Sequence, residues 1–82
     1  MSQSETRLDA KLIGEKLMEL RTKKGETQKE VADAIGVAPS TYSMYENGER
    51  IPRDGIKVTL ASHFKTTVHK LFFVHRVTKS DT

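Results

Sequence analysis

The chain has 82 residues, enough for one small domain and too few for two, and it contains no cysteine, so neither disulfides nor a thiolate zinc site can supplement a limited core. With 14 basic and 11 acidic residues its net charge is +3, a mild cationic balance that is compatible with nucleic acid but does not by itself select it. No apolar run approaches membrane-spanning length and the polar MSQSETR start lacks the apolar segment of a secretory signal, so the expected setting is reducing and cytoplasmic, without a membrane partner.

Residues 1–7 read as a flexible N-terminus, residues 8–73 as the domain and residues 74–82 as an extension. Helical periodicity begins near Leu8 or Asp9, and Leu8, Leu12, Ile13, Leu17 and Leu20 form its apolar stripe. Arg21, Lys23 and Lys24 suit the negative end of the helix dipole, and Gly25 stops the run. Thr27 predicts an N-cap, with Glu30 three residues on to complete a capping box. Val31, Ala32 and Ile35 then share one face, and Gly36 closes this second helix. Pro39 opens a third at a position where its missing N–H has no partner to lose. Tyr42 and Tyr45 fall on the inner side of that helix, which ends at Asn47-Gly48.

A fourth helix is expected from Arg53, with Asp54 as its cap and Ile56, Val58, Leu60, Ala61 and Phe64 in one core. Thr66-Thr67 reads as a turn and cap before a last short helix carrying Val68, Leu71 and Phe72. Phe73, Val74 and Val77 carry apolar character beyond it, in a pattern that fits an edge strand or a tail.

The third helix is too short to be stable alone, so it must lie on a scaffold. Ser40, Thr41 and Ser43 are exposed donors and acceptors suited to base edges or phosphates, and Met44 offers an apolar contact for a thymine methyl. Thr27 and Gln28 open the second helix, where amide donors and a positive dipole end meet a phosphate. Periodicity alone fits an ordinary helical hairpin as well. His63, His69 and His75 are six residues apart, share no helix face and have no ligand to complete a metal set. No catalytic constellation or phosphate loop is recognisable, so neither an enzyme nor a cofactor is expected.

The run IGEKLMELRTKKGETQKEVADAIGVAPSTYSMYENGERIP, Ile13 to Pro52, resembles the helix-turn-helix domain shared by phage Cro and cI repressors and bacterial regulators of the xenobiotic-response-element type. The resemblance rests on the LR before KKG, the TQ opening a helix with a VADAIGV pattern, the STYSMYENG segment and the proline after it, and it continues more loosely to about Phe72. It implies an all-α, lambda-repressor-like bundle of about five short helices, binding double-stranded DNA with the third helix in the major groove. Carried over by position, Gln28, Pro39, Ser40, Ser43 and Met44 are the base-facing residues. Thr27, Lys29, Thr41, Asn47, Arg50 and Arg53 are the phosphate-facing ones. Arg21 and Glu46 match an arginine and a glutamate that pair across the domain, and Val68, Phe72, Phe73 and Val74 fall in a region through which the family often dimerises.

Three positions depart from the pattern. Ala38 stands where Ser or Thr would cap the third helix, Glu26 replaces a usually apolar residue, and Glu49 occupies a place better suited to a basic one. The resulting expectation is a transcriptional regulator, a repressor binding a palindromic operator as a homodimer. The alternative is a protein-interaction module, an antitoxin-like or anti-repressor partner, to which Glu26, Glu30, Asp33 and Glu49 lend support by weakening DNA attraction.

Overall fold

The structure, a computed structural model, describes residues 9–73. Within them the chain forms five helices, α1 (Ala10–Lys24), α2 (Gln28–Ile35), α3 (Pro39–Glu46), α4 (Asp54–His63) and α5 (Val68–Phe72), and no strand. The domain boundaries at residues 8 and 74 lie at or beyond the edges of the described residues, as do Leu8, Val74 and Val77.

Local chemistry fixes most of the helix ends. The Asp9 carboxylate accepts the Leu12 N–H at 3.1 Å and caps α1. Thr27 and Glu30 form the full capping box at the start of α2: the Thr27 hydroxyl accepts the Glu30 N–H at 3.0 Å, and the Glu30 carboxylate accepts the Thr27 N–H at 2.8 Å. Gly36, at φ 79, lets the chain reverse in the left-handed conformation between α2 and α3. Ala38 supplies no side-chain cap to α3, and Pro39 stands at its first position. The N-cap of α4 is Arg53 rather than Asp54, which lies inside the first turn and faces the helix dipole without closing a capping bond. Thr67 caps α5 through the Lys70 N–H at 3.0 Å.

The apolar faces of all five helices meet in one core, in which Leu17, Val31, Tyr42, Leu60, Leu71 and Phe72 are sealed from solvent. α3 packs on α1 and α2, while α4 and α5 close the other side against α2 and α1. Val58 is not part of this core and is 60% exposed. It lies two positions from both Ile56 and Leu60, and two helical steps carry a side chain to the opposite face. Phe72, assigned from sequence to a dimer contact, is wholly buried within the domain's own core. Val68 packs partly against that core, leaving Phe73, 38% exposed, as the apolar residue of this group that faces solvent within the described residues.

Two glycines set the approach of α1 to the end of α3. At Gly14, in the middle of α1, a Cβ would stand 2.7 Å from the Tyr45 carbonyl oxygen and 2.8 Å from the Glu46 carbonyl carbon. At Gly48, with φ 78, it would meet the Lys11 Cα at 3.1 Å. The two backbones therefore touch where side chains would otherwise hold them apart.

Candidate nucleic-acid interface

α3 turns two aromatic rings inward. Tyr42 and Tyr45 pack edge to face, with ring centroids 6.2 Å apart, and fix the helix on α1 and α2. The Tyr42 hydroxyl is buried beside Glu46 and Arg21 without a hydrogen-bond partner among the described residues. Burial first, and the neighbouring Glu46 carboxylate second, push the phenol well above the ordinary tyrosine range.

Beneath α3, the last residue of the helix ties three elements together. The Glu46 side chain is fully buried. Arg21, from α1, donates to it twice, through Nε at 2.6 Å to Oε2 and through Nη2 at 3.2 Å to Oε1. Gln28, from the start of α2, donates through Nε2 to Oε1 at 2.9 Å. Burial alone would raise the Glu46 pKa, but the donors around it, Arg21 foremost, outweigh that and hold it below the ordinary value. Hydrogen bonding to Glu46 in turn raises Arg21. The Arg21–Glu46 pair implied by the resemblance thus forms. Gln28, which the resemblance places toward DNA, joins it.

The outer side of α3 is small and uncharged. Pro39 and Ser40 are exposed, Met44 is 37% exposed, and Thr41 and Ser43 are half-buried at the edges. Thr41, Tyr45, Ile56, Arg50 and Arg53 line one cleft where the α3–α4 loop rises beside α3. Three phosphate-facing candidates, Thr41, Arg50 and Arg53, are therefore gathered at one rim. Asn47 caps the far end of α3 and is exposed, and Thr27 is exposed with its hydroxyl engaged in the capping box. Lys29 is exposed but paired with Asp33 at 2.9 Å, and that bond raises its pKa. A phosphate would have to compete with this carboxylate for the ammonium.

Glu26 departs from the family pattern in sequence, and the structure gives it partners. His63 Nε2 lies 2.7 Å from Glu26 Oε1, Lys24 Nζ lies 3.3 Å from Oε2, and Arg21 Nη1 donates to the Glu26 carbonyl at 3.0 Å. The imidazole, packed edge on against Phe64, pins the end of α4 to the α1–α2 turn. His63 is thus a structural partner of Glu26. Its hydrogen bond is the main reason the Glu26 carboxyl sits below its ordinary value. In His63→Ala that carboxyl should titrate at a higher pH than in the wild type, a shift readable by NMR of the side-chain carbon; an unchanged titration would show that the contact is not formed in solution.

Gly14 escapes a reading by apolar periodicity, although a glycine in a helix otherwise rich in good helix formers is a detectable signal of close backbone approach. The Gln28–Glu46 and His63–Glu26 bonds join residues 18 and 37 positions apart, separations at which local pattern carries no information.

A family profile described as Helix-turn-helix matches residues 17–71, and the chain belongs to that family. Among curated proteins it is similar to the HTH-type transcriptional regulator AnsR of Bacillus subtilis (strain 168), 42% identical over 57 residues that make up 70% of this chain and 49% of the relative. The chain spans about half the length of that relative. Among solved structures it is similar to the SOS-response transcriptional repressor LexA from Eubacterium rectale, with TM-score 0.78 and 31% identity over 90% of this chain and 78% of the other. It is also similar to the restriction-modification controller protein C.AhdI from Aeromonas hydrophila, with TM-score 0.73 and 31% identity over 78% of this chain and 97% of the other.

Proposed function

We propose that the protein is a sequence-specific, double-stranded-DNA-binding transcriptional regulator that inserts α3 into the major groove and acts as a repressor by occupying an operator. The observation that carries this reading is the composition of the α3 surface between its two flanks. A short, uncharged strip of Ser40, Ser43 and Met44 is bordered by Thr41, Arg50 and Arg53 on one rim, and the N-terminus of α2 meets the C-terminal end of α3 where Gln28 bonds Glu46. Such a strip can approach base edges while the rim holds phosphates. The relatives are in keeping with it: AnsR is described as a transcriptional regulator and the E. rectale protein as a repressor.

The protein-interaction alternative loses most of its sequence support. Glu30 is engaged in a capping box, Asp33 is paired with Lys29, and Glu26 with His63 and Lys24, so their charge is largely answered within the domain. Glu49 is the exposed acid of that group with neither an ion-pair nor a capping partner among the described residues.

Replacing Ser43 with alanine should weaken binding to the cognate site by about 1–3 kcal/mol more than binding to random DNA. Equal losses on both duplexes would assign the residue to backbone contact alone.

One recognition helix offers few base contacts, so two copies are expected on a near-palindromic operator, with half-site centres about 34 Å apart. With Phe72 consumed by the core, the homodimer contact rests on exposed Phe73 and the residues that follow it. Sedimentation at micromolar concentration should show a dimer for the wild type and a monomer for a Phe73→Asp, Val74→Asp variant. A monomeric wild type, or a dimeric variant, would rule out this contact.

A further inference from the structure

The Glu46 carboxylate fixes which end of the Gln28 amide turns inward. An ionised carboxylate can only accept hydrogen bonds, so the amide must present nitrogen to it; the reverse orientation would press two acceptors together. The contact is a closed one. Glu46 is fully buried and held charged by Arg21, and Gln28, the first residue of α2, meets it at 2.9 Å. A free glutamine offers a ligand either end of its amide, but this one is left with its carbonyl oxygen and its second N–H, which have no other partner among the described residues. An acceptor and a donor side by side match the N6 amino group and N7 of adenine in the major groove, whereas a phosphate, being acceptor-only, would use the N–H alone.

We infer that Glu46 is a positioning residue for DNA readout: through its bond to the Nε2 of Gln28 it orients that amide to select an adenine at one fixed position of each half-site. This rests on the DNA-binding reading above, and it gives a residue beneath the interface a share in specificity.

The test is selection of sites from a random duplex pool by the full chain and by four variants, Gln28→Ala, Glu46→Gln, Arg21→Gln and the Gln28→Ala, Glu46→Gln double variant. The wild type should select an adenine that Gln28→Ala no longer selects, with discrimination at that base pair falling roughly five- to hundredfold and the rest of the consensus retained. Glu46→Gln should relax the same position, because a glutamine there accepts either orientation of its neighbour, and the double variant should be no more relaxed than Gln28→Ala. Arg21→Gln should lower stability and relax the same position in part, since Arg21 is the main donor that holds the Glu46 carboxylate ionised. Retention of the adenine by Glu46→Gln while Gln28→Ala loses it would overturn the positioning role, and a uniform loss on all sequences in Gln28→Ala would make Gln28 a phosphate contact.

NMR of the free protein keeps the inference testable if Glu46→Gln does not fold. The Gln28 side-chain amide signals should shift with the acid titration of Glu46 in the wild type, and signals that do not follow it would overturn the orientation. Failure of the wild type to enrich any site would instead remove the DNA-binding reading, and the adenine with it, while the NMR titration would still report the amide bond.

Discussion

Replacing Glu46 with alanine should destabilise the domain by roughly 3–5 kcal/mol, a large fraction of the stability available to a fold of this size. The Arg21 guanidinium is mostly covered, with 18% of its side chain exposed, and would lose the partner that receives two of its N–H groups. The Tyr42 hydroxyl, already without a hydrogen bond, would border a void. Glu46→Gln separates charge from shape, since the side chain still fills the site but no longer neutralises Arg21. A melting temperature unchanged in Glu46→Gln would contradict the structural weight given to the pair. The same group sets a pH dependence. Because its folded pKa lies below the ordinary 4.5, its contribution is complete above that value and is lost as the pH falls through the lower, folded one. Below about pH 4.5 the stability of the wild type should therefore fall as the pH is lowered, and that of Glu46→Gln should fall less.

Gly14→Ala should be at least as damaging as a typical overpacked core substitution, about 1–3 kcal/mol, even though alanine is the better helix former. In most helices the exchange gains nearly 1 kcal/mol from propensity. Here the new methyl would meet the Tyr45 carbonyl oxygen at 2.7 Å and the Glu46 backbone, neither of which can move aside as a flexible side chain would. Relief requires α1 to lift from the end of α3. That shift would also draw Arg21 away from Glu46, coupling the two substitutions, so the double variant should lose less than the sum of the singles. A Gly14→Ala protein as stable as the wild type would show that the helices do not approach so closely.

Much of this architecture was legible in the sequence because it is encoded locally. The capping box at Thr27, the stops at Gly25 and Gly36 and the Pro39 start each depend on residues within a few positions of one another, and each stands where the pattern puts it. The inward turn of Tyr42 and Tyr45 follows from helical spacing, and the Arg21–Glu46 pair from family resemblance alone. What sequence could not supply is tertiary. Val58 looked like core because it is apolar, yet its phase on α4 points it to solvent. Phe72 looked available for a partner, but only the packed bundle shows that the core consumes it. Glu26 looked like a liability until His63, 37 residues away, was found against it. At the candidate interface, the residue types on α3 were readable, whereas the gathering of Thr41, Arg50 and Arg53 at one rim depends on how the α3–α4 loop folds back.

The most direct measurement is the affinity of the wild-type protein for a duplex enriched from a random pool and for a shuffled duplex of the same length and composition, each followed across a range of salt. Binding to the enriched site should be tighter by about a thousandfold or more, and the affinity for both duplexes should fall as salt rises and displaces the phosphate contacts of the Arg50–Arg53 rim. Equal affinity for the two duplexes at every salt concentration, or no binding to either, would contradict a role in sequence-specific DNA recognition.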